Sequence, residues 1–307
     1  MEHKNFWHEV FITSTSVLPS IKWRVFIFGI CSTLVWLVGK NTNWISTTEV
    51  ASYELIGVAL VVLIMLRTNS GYDRWYEGRK LWGGIVNQSR NLAQVGLAYG
   101  PADPTWRDQF VRWTAAFSHA CRHSLRGQQS LEDMRLLLGD AGVKELAAAQ
   151  HKPLFVTQRL AELLRDAMDN DRMDRFAFMQ AEQQRTTLID HIGACERILK
   201  TPLAKALSVK IRQFLFLYLV ALPFGIFDKV DYMTPIIVML VAYPLLALDQ
   251  ISVELQNPFS PNRLSHLPLD DICRTIEANV LALLDEDSPN HETAPHESWR
   301  LRAKLAV

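Results

Sequence analysis

Histidines and cysteines are the side chains of this chain best suited to metal or redox chemistry. His119 and His123 stand four residues apart, so on a helix their imidazoles share one face and could bind a metal ion together. No third ligand is evident nearby, and buried or surface histidines without a metal are therefore the favoured interpretation. The four cysteines contain no CxxC pair, which indicates neither a disulfide framework nor a zinc site. The sequence predicts no metal and no other cofactor.

The familiar catalytic motifs are missing from the sequence. It contains no GxSxG, no Walker loop and no HExxH, so an enzyme is not predicted. The chain carries 32 basic and 32 acidic residues, a formal net charge of zero. Nucleic acid is therefore not expected as a partner, because binding to phosphates needs an excess of positive charge.

Four uncharged apolar runs lie in two pairs toward the two ends of the 307-residue chain. The runs are 25–39, 55–66, 213–227 and 232–248. None reaches the roughly 18 uncharged residues that identify a spanning helix on their own, so length alone also allows buried helices of a soluble protein. Each run does reach about 20 residues if a few flanking polar residues lie among lipid headgroups. Trp23 and Trp36, at the ends of the first run, favour the membrane interpretation.

Basic residues are unevenly distributed around these runs. The short links 40–54 and 228–231 carry one lysine each and no arginine, whereas arginines and lysines precede the first run and follow the second. By the positive-inside rule both termini and the central region are cytoplasmic, and the runs form two membrane hairpins. The predicted fold class is therefore all-α: a polytopic protein of the cell (inner) membrane with four transmembrane helices and a cytoplasmic helical domain.

The chain is expected to divide at the ends of the hairpins. The predicted parts are an N-terminal segment with the first hairpin (1–66), a cytoplasmic helical domain (67–210), the second hairpin (211–248), and a cytoplasmic connector, helix and tail (249–307). Strand signals are nearly absent between the hairpins, and turns are predicted at 96–104, 138–142 and 169–171. In the last part a helix is expected from Asp270 to Leu284, followed by a mobile polar tail.

The stretch 67–87, RTNSGYDRWYEGRKLWGGIVN, directly continues the second apolar run. It reads as a helix that leaves the membrane, with aromatic and charged side chains densely mixed. Such a mixture suits protein–protein packing and short-range ion pairs. An ordinary amphipathic helix beside the membrane explains the same pattern, and the residues alone leave both interpretations open.

This stretch resembles the signature of the bacterial bestrophin homologues. The resemblance recurs in the expected order at Cys195-Glu196-Arg197-Ile198, at Tyr232-Met233-Thr234-Pro235 and at Asn257-Pro258-Phe259, and it covers most of the chain. The positions that carry the family motif, in a structural role, are Arg67, Asn69, Tyr72, Asp73, Arg74, Trp75, Glu77, Arg79, Trp82, Asn257, Pro258 and Phe259.

The resemblance implies a homopentameric ion channel whose second apolar helix lines a narrow neck. Carried over by position, the neck residues are Val58, Val62 and Leu66, and a spacing of four places them on one helix face. The sequence alone does not select that face. Every position from 55 to 66 is apolar or glycine, so these three side chains could equally face lipid or lie between subunits.

An aliphatic neck offers a hydrated ion no replacement ligands, so small changes in its radius would gate conduction by dewetting. Many relatives have an aromatic residue where this chain has Leu66, and an aromatic edge can face an anion whereas leucine cannot. This departure weakens an inference of chloride selectivity, and the bacterial relatives that the chain resembles look cation-conducting. The resemblance therefore implies conduction of small monovalent ions, with cations such as sodium favoured over chloride. The resemblance also places a second, cytoplasmic aperture near Phe176, for which a helix-core position is the alternative.

Calcium regulation is not expected. Family members that bind calcium do so through acidic residues just after the Asn-Pro-Phe motif, but here SPNRLSH follows and no acid occurs before Asp270. The expected partners are further copies of the chain in a homopentamer, membrane lipid and the permeant ions. The alternative function is a membrane-anchored helical interaction or sensor protein without conductance.

Overall fold

Nine α-helices make up most of the described part of the chain, which in this computed structural model comprises residues 17–42, 50–201 and 205–286. In chain order they are α1 (Leu18–Thr42), α2 (Val50–Tyr99), α3 (Pro104–Arg126), α4 (Arg135–Ala148), α5 (Lys152–Asp169), α6 (Arg175–Lys200), α7 (Lys205–Val230), α8 (Thr234–Glu254) and α9 (Leu269–Glu286). These residues include no β-strand, so the all-α prediction is confirmed. The predicted mobile tail beyond residue 286 lies outside the described residues.

The four apolar runs all lie in long helices. By length and composition, three stretches are able to cross a membrane: Leu18–Thr42, Tyr53–Tyr99 and Ala206–Glu254. The third stretch contains both α7 and α8, which are separated by a short 3-10 turn at Asp231–Met233. The runs therefore belong to α1, α2, α7 and α8, one run to each helix.

The chain divides into two compact units, and the first consists of Met1–Gly78 with Ile198–Leu267. Its core is built from aliphatic side chains of α1, α2, α7 and α8, which include Ile21, Leu60, Ile64, Leu215 and Leu245. Helices α1 and α8 approach closely at Gly29, where an added Cβ would lie 2.7 Å from the Met239 sulfur.

The second unit consists of Arg79–Arg197 with Pro268–Val307, and α3 lies at its centre, packed against α4, α5 and α9. The α3 helix begins where Asp103 accepts a hydrogen bond from the Thr105 amide (2.9 Å), and it ends at Gly127, whose φ of 65° suits glycine. Near its start the buried Phe110 ring stacks on Trp106 with 4.8 Å between ring centroids. Trp106 Nε1 also donates to the Leu163 carbonyl of α5 at 3.1 Å, which ties the start of α3 to that helix.

The predicted turns agree with the structure to different degrees. The turn predicted at 96–104 is confined to residues 100–103, because α2 continues to Tyr99 and α3 begins at Pro104. The turn predicted at 169–171 agrees, since α5 ends at Asp169. The segment 138–142 is instead part of α4, which bends at Gly139. Glycine takes the observed φ of 69° without a Cβ clash, so one residue absorbs the bend and the helix resumes beyond it. The predicted helix from Asp270 to Leu284 is confirmed as α9.

Candidate functional site

The apolar segment of α2 has one buried face and one exposed face. Leu60 and Ile64 are 3% and 0% exposed in the core of the first unit. The predicted neck residues Val58, Val62 and Leu66 are 65%, 50% and 60% exposed. At about 100° per residue, Val62 lies about 200° around the helix from Leu60. The three positions therefore share the side of α2 that the chain itself leaves uncovered.

Directly after Leu66, the Arg67 side chain turns back into the first unit. It is 2% exposed and donates a hydrogen bond to Asp249 at the end of the apolar run of α8, a carboxylate that is also 2% exposed. Asp249 accepts a second bond, 3.0 Å long, from Nε of Arg212 on α7. One buried carboxylate thus ties the end of the candidate neck to the other two helices.

Arg74, the next arginine of the family motif, joins parts of the chain that lie far apart in sequence. Its guanidinium donates to the backbone carbonyls of Ile198, Thr201 (2.6 Å) and Gln256 (3.3 Å). These carbonyls belong to the end of α6, the residue after it and the segment after α8. A planar guanidinium with five donors can serve several carbonyl acceptors at once, which a lysine cannot do in the same geometry.

The Asn-Pro-Phe motif packs on the same stretch of α2. Phe259 is fully buried, and its amide donates to the Asn257 side chain at 3.1 Å, which fixes a tight turn. A Cβ added at Gly78 would lie 3.1 Å from Pro258 and 3.3 Å from the Phe259 ring. Trp75 Nε1 donates to the Ser265 carbonyl at 2.7 Å. The separated motif segments thus meet in space.

The remaining motif residues occupy two environments. Tyr72 stacks on Trp75 and on Tyr76, with ring centroids 6.2 and 6.0 Å apart, and is half exposed. Asn69, Asp73 and Arg79 are exposed and Glu77 is half-buried, whereas Trp82 is almost completely buried. The exposed aromatic and charged group lies on the part of α2 that follows the candidate neck.

Phe176, the candidate for the cytoplasmic aperture, lies in the first turn of α6 and is 82% exposed. Its amide donates to the Asp174 carboxylate at 2.8 Å, which caps the start of that helix. The alternative of a helix-core position does not fit such exposure. A role in an aperture stays a prediction, since it depends on neighbouring subunits.

The two histidines of α3 are core residues in contact with carboxylates. His119 Nε2 lies 2.8 Å from the Glu277 carboxylate on α9, and His123 Nε2 lies 2.9 Å from Asp133. Burial lowers the pKa of both imidazoles, although the nearby carboxylates act in the opposite direction. Within the described part of the chain, no three His, Cys, Asp or Glu side chains are grouped to hold a metal ion.

Two arginines of α3 complete this cluster. Arg122 donates to Asp133 and, at 3.0 Å, to Asp270, while Arg126 donates to Asp270 at 2.8 Å. Burial alone would raise the pKa of both aspartates, but the neighbouring positive charges outweigh it and lower them. The cluster attaches α9 to α3 through ionised pairs.

Several of these interactions could not be found in the sequence. Asp249 and Arg212 looked like ordinary charges at the ends of apolar runs, and no spacing rule pairs them with Arg67. Their position at the end of an apolar run is the one indication in the sequence, because a charged side chain at such a place needs water, lipid headgroups or a partner of opposite charge. The cluster around His119 and His123 joins residues about 150 positions apart, beyond any local pattern.

The fold and these contacts define an all-helical protein with four apolar helices and a motif-bearing helix that continues the second of them. The model of the Bacterial/Fungal Bestrophin protein family matches residues 1–282. The chain therefore belongs to the bacterial and fungal bestrophin family.

Individual relatives match along nearly their whole lengths. A voltage-dependent anion channel-forming protein of Synechocystis sp. is 32% identical over 276 residues, which is 88% of this chain and 88% of that protein. A protein of the same description from Escherichia coli is 28% identical over 97% of this chain and 98% of its own length. The crystal structure of a bacterial bestrophin homologue from Klebsiella pneumoniae is similar with a TM-score of 0.81 and 25% identity, covering 86% of this chain and 98% of that one.

Proposed function

We propose that this protein is an ion channel, formed by five copies of the chain in the cell (inner) membrane. In this proposal α1, α2, α7 and α8 cross the membrane, both termini are cytoplasmic, and residues 67–210 form a cytoplasmic helical domain. Support comes from the four long apolar helices, from membership of the bestrophin family and from relatives that are named as channel-forming proteins.

The observation that carries the proposal is the exposed face of α2. Val58, Val62 and Leu66 are each at least half exposed, although all three belong to the apolar run 55–66. Five copies of this face around one axis would stack three aliphatic rings. Such rings give an ion no ligands to replace its hydration shell, so conduction would depend on a radius large enough to keep water.

The buried pair of Arg67 and Asp249 could couple movement of α7 and α8 to the exposed face of α2. Arg67 is held by Asp249, so α2 is fixed to α7 and α8 immediately below the candidate neck. A movement of those helices would then rotate or tilt the helix that carries the rings. A small change in radius would be enough to wet or dry the neck.

We propose that small monovalent ions pass, with cations favoured over chloride. Leu66 has no electropositive aromatic edge to face an anion. The names of the relatives refer to anions, so the two indications differ. A reversal potential measured across a salt gradient decides between them, since a cation-selective and an anion-selective pore give potentials of opposite sign.

The function is tested by reconstitution into liposomes. We expect ion flux above that of empty vesicles and a detergent-solubilised mass of five chains of 35.0 kDa each. Val58→Ala, Val62→Ala and Leu66→Ala should each widen the neck and raise the flux. Val61→Ala is the matched control, because it removes the same methyl groups from a position about 100° away from Val62.

Absence of flux combined with a monomeric mass would contradict the channel and favour a membrane-anchored interaction or sensor protein. Flux with wild-type behaviour in all three neck variants would instead remove these residues from the pore.

A further inference from the structure

A cleft of about 350 Å³ opens on the surface of the first unit between α1, α7 and α8. Its walls are mainly apolar and include Ile27, Phe28, Phe216 and Leu246. Ile27 and Phe216 are each more than half exposed. The volume lies in the range of about 300–1,000 Å³ that is typical of small-molecule sites. The cleft can therefore hold part of an apolar molecule.

Three charged side chains also line this cleft, and each stands at the end of an apolar run. Arg24 directly precedes run 25–39, Arg212 directly precedes run 213–227, and Asp249 directly follows run 232–248. The ends of three apolar runs that are far apart in sequence thus coincide at one place. Under the membrane topology of the proposed function, on which this inference rests, that place is the cytoplasmic headgroup level.

The charges in the cleft do not cancel. Asp249 is already paired with Arg67, which is 2% exposed and faces the core. Arg212 reaches Asp249 through Nε, so among the described residues its two terminal nitrogens have no recorded partner. Arg24 is exposed. The open side of the cleft therefore presents positive charge that one buried aspartate does not neutralise.

We propose that this cleft binds an anionic phospholipid of the cytoplasmic leaflet. The phosphate contacts Arg24 and Arg212, and part of an acyl chain lies along the apolar wall between α1 and α7. Basic pockets between transmembrane helices on the cytoplasmic side suit acidic headgroups, and arginine suits phosphate because its planar donors can bind two oxygens. A lipid is favoured over free phosphate because most of the lining is apolar.

The site also has a mechanical consequence. A phosphate on Arg212 contacts a residue that holds Asp249, and Asp249 holds Arg67 at the end of the candidate neck. The phosphate of a bound lipid would add a second negative charge, besides that of Asp249, to this set of ion pairs and would restrict the orientation of the Arg212 side chain. Occupancy of the cleft would thus stabilise one position of α2 relative to α7 and α8.

Native mass spectrometry of the full-length protein in detergent tests the proposal, with dioleoyl phosphatidylglycerol and dioleoyl phosphatidylcholine as the two probes. We expect tighter binding of phosphatidylglycerol to the wild type. Arg24→Gln and Arg212→Gln should each weaken it about fivefold, and the double variant about 30-fold, since each basic residue near an anionic surface contributes on the order of 1 kcal/mol. Arg212→Lys should retain most of the binding. Lys40→Gln, at the opposite end of α1, is the matched control and should bind like the wild type.

The proposal is overturned if the wild type binds the two lipids equally, or if the variant with both Arg24→Gln and Arg212→Gln binds phosphatidylglycerol like the wild type. It is also overturned if glycerol 3-phosphate displaces the lipid completely, because the site would then recognise phosphate without an acyl chain. Flux measured on the same preparations separates this inference from the channel. Flux without lipid preference refutes only the lipid site, whereas lipid preference without flux refutes only the conductance.

Discussion

The buried pair of Arg67 and Asp249 allows a quantitative prediction about what holds the candidate neck in place. Both side chains are 2% exposed, whereas Arg212, the second partner of Asp249, is 48% exposed. Asp249→Leu leaves Arg67 buried without a counter-charge, and removing one partner of a buried ion pair costs about 3–5 kcal/mol. Arg67→Met should cost less, because Arg212 still pairs with the remaining carboxylate. Arg212→Gln removes only a partly solvated pair and should cost no more than about 1 kcal/mol.

The double variant Arg67→Met/Asp249→Leu provides the most discriminating test of this prediction. Replacing both charges with apolar side chains of similar size removes the desolvation penalty together with the attraction, and such exchanges are often neutral or stabilising. The double variant should therefore be more stable than Asp249→Leu alone, although it carries one more substitution.

Thermal unfolding of the detergent-solubilised protein, followed at one scan rate, measures these differences. At about 2–4 °C per kcal/mol for a domain of 150–250 residues, Asp249→Leu should lower Tm by roughly 6–20 °C. The reasoning is refuted if Asp249→Leu unfolds within 2 °C of Arg212→Gln, or if the double variant is no more stable than Asp249→Leu. Flux through the folded double variant would then show whether the charges serve the neck or only the stability.

Three further predictions concern the second unit. Gly96→Ala should destabilise it by about 1–3 kcal/mol, because the new Cβ would overlap the buried Phe110 ring. Gly83→Ala meets no atom within 4 Å and should be neutral or stabilising by up to about 1 kcal/mol, and the Tm values of the two variants compare them. Burial lowers the pKa of His119 and His123 below the ordinary 6.5, so as the pH falls the unfolded chain takes up protons before the folded chain does; the free energy of unfolding is therefore highest above about pH 7 and falls as the pH is lowered through 6.5. The Tm of the wild type should fall with pH in this range, and the double variant His119→Gln/His123→Gln should show a smaller slope. Equal slopes would contradict the attribution of the pH dependence to these two histidines. Burial raises the pKa of the Cys273 thiol to about 12, so iodoacetamide at pH 8 should label this residue only after unfolding, as peptide mapping with a denatured control would show.

The ion pairs on α3 differ in exposure from the buried pair of Arg67 and Asp249 in the first unit. In the cluster, Asp133 and Asp270 are 38% and 46% exposed, so water screens these pairs and each contributes less than a fully buried one. The histidines beside them are 4% exposed. Acid therefore destabilises this cluster mainly because protonation places positive charge on buried imidazoles, while the aspartates stay ionised to lower pH.

Much of this protein is determined by local sequence. The four apolar runs, the helical spacing between them and the turn residues predict the all-α fold, since a helix satisfies its own backbone hydrogen bonds within one segment. The helix bounds at 270–284 and the turn after residue 169 follow from the same local rules. The glycine at 139 shows where such rules fail, since a local turn signal was absorbed as a bend inside α4.

Only the tertiary structure decided which residues act together. Every position from 55 to 66 is apolar or glycine, so periodicity could not choose a face of α2. Packing of Leu60 and Ile64 against the neighbouring helices left the opposite side exposed, and that side holds Leu55, Val61 and Met65 as well as the candidate neck residues Val58, Val62 and Leu66. The charges at 24, 67, 212 and 249 share one region because the ends of four apolar runs meet there. Arg74 donates to carbonyls that lie 124–182 residues away in the sequence. The physical reason is that hydrophobic periodicity indicates which residues are buried away from water. Which segment buries them depends on the packing of helices that are far apart in the sequence.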